Sequence, residues 1–346
     1  MFPLDYPLTE LAALQAPARI LDPFCGRGTT LYAARILKFE AYGTDTNPVA
    51  VAIAEAKLAR TTTRQVIRLT RELLAGDEVE TPQGDFWSMA YAPSTLQAIC
   101  KLRMGLQRRW GNAAKLLRAL ILGILHGPIR KGEPSYLSNQ MPRTFASKPD
   151  YSIRYWQKHE LETPPVVDVL DLIRRKVTRV LTEVPPPVEG KVCCADARQL
   201  PFTGPFDAVV TSPPYYGMNT YRPDQWLRYW FLGGPPSVPY IDVTQVSRGG
   251  IEGFKQALAD VWNAVGQVSR IGTRLCVRFG ALPSEPIDPE TVLRESLHLS
   301  GRPWQVIQTR QVPLLARKTR QSVQMGARGQ QNAAQTEIDI TAVLMD

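Results

Sequence analysis

Short apolar runs alternate with helical patterns along the first 60 residues. Residues 19–21 read as a strand, and apolar positions at helical spacing over 29–38 read as a helix. A second strand over 41–43 and a second helix over 48–60 follow, with Pro48 in the first turn. This order opens a parallel, doubly wound α/β sheet. The alternation then stops. Residues 61–190 read mostly as helices, with loops at 76–93 and 127–165 and a stop at Pro185-Pro186-Pro187. Strand patterns resume over 191–195, 206–210, 274–279, 305–312 and 338–344, with helices near 251–269 and 289–299. The simplest organisation is one sheet domain, 1–60 and 190–346, interrupted by a mainly helical insert over 61–189.

Composition narrows the picture little. Apolar residues make up 44% and charged residues 21% of the 346, as in an ordinary soluble domain. A net charge of +9, most of it in the insert, points toward a polyanionic partner. The five cysteines have no paired C-x-x-C spacing, so neither a disulfide framework nor a zinc site is expected, and no other metal is. The N-terminus lacks a signal pattern. The most apolar run, 116–129, contains Arg118 and His126 and reads as a buried helix rather than a membrane span. A cytoplasmic setting fits these features.

Chemistry enters at the strand ends. Asp22-Pro23-Phe24-Cys25-Gly26-Arg27-Gly28-Thr29-Thr30 closes the first strand and opens the first helix. Glycines at 26 and 28 permit a sharp turn and close approach of a ligand, and the helix amides then face a carboxylate. Asp45 ends the second strand, where an acid can accept hydrogen bonds from ribose hydroxyls or close an Asx turn with Thr46 and Asn47. Asp196, after the strand over 191–195, can meet an adenine amino group or cap the turn at Ala197-Arg198. Three acidic strand ends in one sheet point to a nucleoside ligand. With no phosphate-binding lysine after the glycines, S-adenosylmethionine is favoured over a nucleotide.

Thr211-Ser212-Pro213-Pro214-Tyr215 follows the strand over 206–210. Its prolines fix the backbone and carry no N–H. A serine hydroxyl and a proline carbonyl there can accept the protons of an amino group, and Tyr215 offers a stacking face.

Together, D-P-F-C-G-R-G-T-T and T-S-P-P-Y, each after a strand, resemble the DNA amino-methyltransferases that modify cytosine N4 or adenine N6. The resemblance extends to Gly43-Thr44-Asp45-Thr46-Asn47-Pro48 and to 194–202, and covers most of 18–60 and 190–280. It implies a Rossmann-like methyltransferase sheet with S-adenosylmethionine as cofactor. It places Asp22, Gly26, Gly28, Thr29 and Thr30 around the methionine part, Asp45 at the ribose and Asp196 at the adenine, with Phe24, Thr46 and Ala197 as further cofactor-binding residues. Ser212, Pro213, Pro214 and Tyr215 would hold a base flipped out of double-stranded DNA. The serine version of the motif resembles the cytosine group. The family's further cofactor motif has only Phe2-Pro3 and Tyr6-Pro7 to represent it here.

The insert is the candidate recognition region. Arg60, Arg64, Arg68 and Arg71 recur at helical spacing. The connection 138–156 mixes amides, cations and aromatics, so Arg143, Lys148, Tyr151, Arg154, Tyr155 and Trp156 are candidate DNA contacts. Residues 302–329 add six Arg and Lys without an acid. Alternatives are an adenine-N6 enzyme, an RNA guanine-amino methyltransferase, and a non-catalytic DNA-binding protein of the same fold. A cognate restriction endonuclease is a candidate partner of either DNA enzyme. Nothing in the sequence fixes the oligomeric state.

Overall fold

The computed structural model describes residues 2–128, 134–142, 147–161, 164–217, 222–238, 250–282, 285, 287–312 and 336–346. The chain divides into two compact units. Unit 1 comprises Met1–Leu58, Pro185–Thr220 and Val243–Asp346; unit 2 comprises Ala59–Val184 and Tyr221–Asp242.

In unit 1 the order is α1 (Asp5–Leu11), β1 (Arg19–Asp22), α2 (Thr29–Ile36), β2 (Glu40–Asp45) and α3 (Pro48–Leu58). After the insert come β3 (Gly190–Cys194) and β4 (Phe206–Thr211). The sheet's strands lie in the order β3-β2-β1-β4, then three more: β5 (Ser269–Ala281), β7 (Thr336–Leu344) and β6 (Trp304–Val312). The pairs from β3 to β5 are parallel, whereas β7 runs antiparallel to both its neighbours. The fold is the expected doubly wound, mostly parallel α/β sheet.

Both faces of this sheet are covered, so its central strands are apolar on each side. Ile20, Ala208, Val210 and Cys276 pack with Leu31, Ala34 and Ala54 of the first helical layer. Their alternates Leu21, Val209, Leu275, Val277 and Phe279 pack under α11 (Gly250–Gln267) and α12 (Pro289–Leu299), against Phe254, Leu258, Trp262 and Leu293. The chain runs outward from β1 through β2 to β3, then returns to the opposite side of β1 as β4. The carboxyl ends of β1 and β4 therefore flank the topological switch point, where α/β sheets bind ligands.

Unit 2 consists of α4 (Thr63–Leu74), α5 (Asp85–Ala90), α6 (Pro93–Gln107), α7 (Asn112–Ile124), α8 (Pro149–Lys158) and α9 (Val169–Val180). The 3-10 turn Arg222–Gln225 and α10 (Trp226–Phe231) join it from later in the sequence, although the division at residue 190 assigns them to the sheet domain. Its centre is aromatic: Phe86 lies 4.9 Å from Trp226, Trp87 4.5 Å from Trp230, and Phe86 5.5 Å from Trp156. Arg118 is buried, as its place in the apolar run predicts. Its guanidinium donates to the carbonyls of Leu106 (2.7 Å) and Arg109 (2.9 Å), at the C-terminal end of α6. Leu106 sits in the last turn of α6 and Arg109 just beyond it, and the negative end of the helix dipole favours a cation there. Among the described residues, no helix is long and apolar enough to cross a membrane.

Candidate active site

The first half of the site is the turn between β1 and α2. Gly28 caps α2 in the left-handed region (φ 73°), and a Cβ there would lie 3.0 Å from that of Ala54, so only glycine lets α2 and α3 approach this closely. Gly26 is also left-handed (φ 49°), but a Cβ there would meet nothing within 4 Å. Its outer side is open, as a ligand cradle requires. Phe24 is half-buried beside the loop, Thr29 half-buried at the start of α2, and Thr30 buried, its hydroxyl donating to the Val210 carbonyl of β4 (3.1 Å).

Asp22 is 1% exposed and accepts from the Phe24 amide (3.1 Å) and the Thr211 hydroxyl (2.6 Å). Burial raises its carboxyl to about 6, although the hydrogen bonds from Thr211 and Phe24 oppose the shift. Asp45 uses one oxygen for the Gly26 amide (2.9 Å) and the other for the Asn47 amide (2.7 Å). The Asx turn and the link to the glycine loop are thus both present. Burial outweighs these bonds, so the Asp45 carboxyl is also raised. Each oxygen retains acceptor capacity toward a ligand hydroxyl. Thr46 follows, exposed.

Asp196 is differently placed. Both its oxygens bind the Arg198 guanidinium, at 3.0, 3.1 and 2.6 Å, and the Arg198 amide adds a bond of 2.9 Å. These hydrogen bonds hold its carboxyl below the usual range. Of the two roles open to Asp196 in the sequence, the cap at Ala197-Arg198 is the one formed. Ala197 is buried in the core beneath α11.

The second half is the turn after β4. Thr211 and Pro213 are buried, Ser212 and Pro214 half-buried. Tyr215 is not a free platform. Its ring stands at 90° to Phe279 with centroids 5.7 Å apart, and its hydroxyl donates to Glu337 Oε1 (2.6 Å). Burial, with the Glu337 carboxylate, pushes the phenol far above its ordinary range and keeps it a donor. Glu337, on β7, is a residue of this site that no local sequence signal marks.

The structure therefore brings the glycine loop, Asp22, Asp45 and the 211–215 turn to one edge of one sheet. Thr211 joins the halves directly through Asp22.

The candidate nucleic-acid residues lie in unit 2. Lys148 precedes α8 and is exposed; Tyr151, Arg154 and Tyr155 line the helix's outer side, exposed or half-buried. Tyr151 and Tyr155 stack at 6.5 Å, and Tyr155 and His159 lie 4.3 Å apart. Trp156 turns the other way. It is 1% exposed, and its indole N–H donates to the Gln140 carbonyl (2.6 Å), so it belongs to the core and not to a contact surface. Arg143, and 313–329 of the second basic stretch, lie outside the described residues.

No family model matches the chain, and no curated protein does. Solved structures that resemble it include magnesium protoporphyrin IX methyltransferase from Synechocystis PCC 6803 with bound SAM, 10% identical over 99% of this chain and 77% of that one, TM-score 0.37. A SAM-dependent methyltransferase from Methanosarcina mazei is 12% identical over 100% and 98%, TM-score 0.38. An rRNA methyltransferase from Streptomyces viridochromogenes is 12% identical over 99% and 85%, TM-score 0.33. Likenesses this low carry no argument about activity or substrate. The chemistry rests on the site.

Proposed function

We propose that the chain is an S-adenosylmethionine-dependent methyltransferase acting on the exocyclic N4 of a cytosine flipped out of double-stranded DNA. The observation that carries this reading is the Thr211–Asp22 hydrogen bond at the switch point (2.6 Å). It sets a glycine loop suited to an amino-acid carboxylate beside a turn suited to an amino group.

The cofactor, when bound, supplies an electrophilic methyl group on a sulfonium. The Gly26–Gly28 loop and the first amides of α2 meet its carboxylate, Asp22 places negative charge near its cationic part, and Asp45 accepts from the ribose. Asp196 fits the adenine only if it exchanges Arg198 for the amino group. On the target side, the base's amino lone pair is delocalised into the ring. Two acceptors, the Ser212 hydroxyl and the Pro213 carbonyl, hold its protons and turn the nitrogen toward tetrahedral geometry. Holding it in line with the methyl supplies up to ~7–11 kcal/mol of barrier reduction. Flipping costs roughly a few kcal/mol, and stacking on Tyr215 returns ~1–3 kcal/mol.

Incubation with S-adenosylmethionine and DNA, followed by nucleoside mass spectrometry, is expected to yield N4-methylcytosine. N6-methyladenine alone would reassign the base and keep the reaction class. No methylated nucleoside in DNA, with label transferred to RNA, would replace the substrate.

The α8 face is the proposed phosphate and base contact, since it pairs cations with stacked rings. Arg154→Ala is expected to weaken DNA binding similarly across sequences and to flatten the salt dependence by about one unit. A slope identical to wild type returns α8 to a purely structural role.

A further inference from the structure

The catalytic turn is anchored from outside its own motif. Glu337 lies opposite Gly280 of β5 and Val312 of β6, paired on both sides. Because β7 runs antiparallel to β5, its first residues reach the sheet edge that carries the carboxyl ends of β1 and β4. Arg278, on the neighbouring strand, is committed elsewhere: it gives two hydrogen bonds of 2.7 Å to Asp339 and covers the Tyr6 ring at 4.0 Å. What binds Glu337 is the Tyr215 phenol, at the short distance of a charge-assisted hydrogen bond.

A tyrosine held only by its backbone can turn about two side-chain torsions. Tyr215 is held at the backbone by the Pro213-Pro214 turn, along its ring by Phe279, and at its tip by Glu337. We propose that Glu337 is a positioning residue for methyl transfer, acting through Tyr215 to fix the ring against which the target base is held. This deepens the proposed function and rests on it. A carboxylate at the tip is well suited to the task, because it tethers the hydroxyl without touching the ring faces.

The test is a double-mutant cycle on the full chain, with Glu337→Ala, Tyr215→Phe and the pair. Each single change is expected to lower kcat between about tenfold and a hundredfold, as for a displaced reacting geometry. Affinity for S-adenosylmethionine, read by calorimetry, should stay at the wild-type value. The double variant should be no slower than the worse single one, because both remove the same contact. Glu337→Gln keeps an acceptor oxygen and should recover most of kcat. Losses that add in the double variant, or full turnover in folded Glu337→Ala, overturn the inference. Should Glu337→Ala fail to fold, Tyr215→Phe decides, since it removes only the hydroxyl: full turnover in that variant overturns the inference equally. A wild-type chain that binds cofactor yet methylates no base in DNA fails the functional reading first, and is told apart by its wild-type result.

Discussion

Asp22→Asn is expected to make the chain more stable and to disable it. The Asp22 carboxyl is buried, and burial carries it from its ordinary 3.8 to about 6. The folded state therefore favours the neutral form more than the unfolded chain does, and keeping the group ionised at pH 7 costs on the order of 3 kcal/mol. Asparagine is nearly the same size, has no charge to desolvate, and still offers an oxygen to the Phe24 amide and the Thr211 hydroxyl. The sign gives a signature. Between about pH 4 and 6 the unfolded chain releases the Asp22 proton while the folded one keeps it, so wild-type stability falls as pH rises, then levels off above 6. That slope should be missing from the variant. Denaturant midpoints across this window check it; a variant less stable than wild type at pH 7 would refute the electrostatic account. Function should move oppositely. Below about pH 6 the wild type protonates Asp22 and its affinity for a cationic cofactor should drop, and the variant should show that weakened affinity at every pH. A strongly raised carboxylate, buried beside the glycine loop, is a group retained at a cost, as at sites kept for chemistry.

Ser212→Ala should have the largest kinetic effect. The hydroxyl is half-buried at the turn, next to Thr211, whose own hydroxyl is spent on Asp22. Under the proposed function Ser212 is the side chain that accepts an amino proton. Its removal is expected to slow methyl transfer by about 10²–10⁴, the range for losing a positioned proton acceptor. Cofactor affinity should be unchanged, because the group acts on the base alone. Single-turnover transfer of labelled methyl, alongside calorimetry, separates the two. Wild-type rates in the variant would remove Ser212 from the chemistry, and a parallel loss of cofactor binding would show a collapsed turn instead.

Much of the fold is legible in the sequence because the central strands are buried on both faces. Residues 19–21 and 206–210 are short apolar runs, and the strands found there, Arg19–Asp22 and Phe206–Thr211, extend each by one polar residue. Helices α11 and α12 follow from the same kind of periodicity. The failures have local causes. Helix α1 has only seven residues and contains Pro7, so it shows too little period to detect. Helix α8 begins with Pro149 and is mostly polar and aromatic, which reads as a loop. Trp156 sits among exposed cations in sequence and in the core in space, a difference decided by the Phe86 and Gln140 contacts. The Asp196–Arg198 pair is one option of two in the sequence, since a near neighbour competes with any ligand. Glu337 stands 122 positions from Tyr215, and no spacing rule reaches that far.

The strands β1 and β4 are hydrogen-bonded neighbours, although Asp22 and Thr211 are 189 positions apart. Everything between them, most of unit 2 included, is topologically one closed loop. The entropy of closing such a loop grows only logarithmically, at about 0.6 kcal/mol for each doubling of its length. A segment inserted there can lengthen, shorten or be exchanged for another while the two ends still meet. Unit 2 can therefore diverge freely, and the residues gathered at the switch point need not change with it.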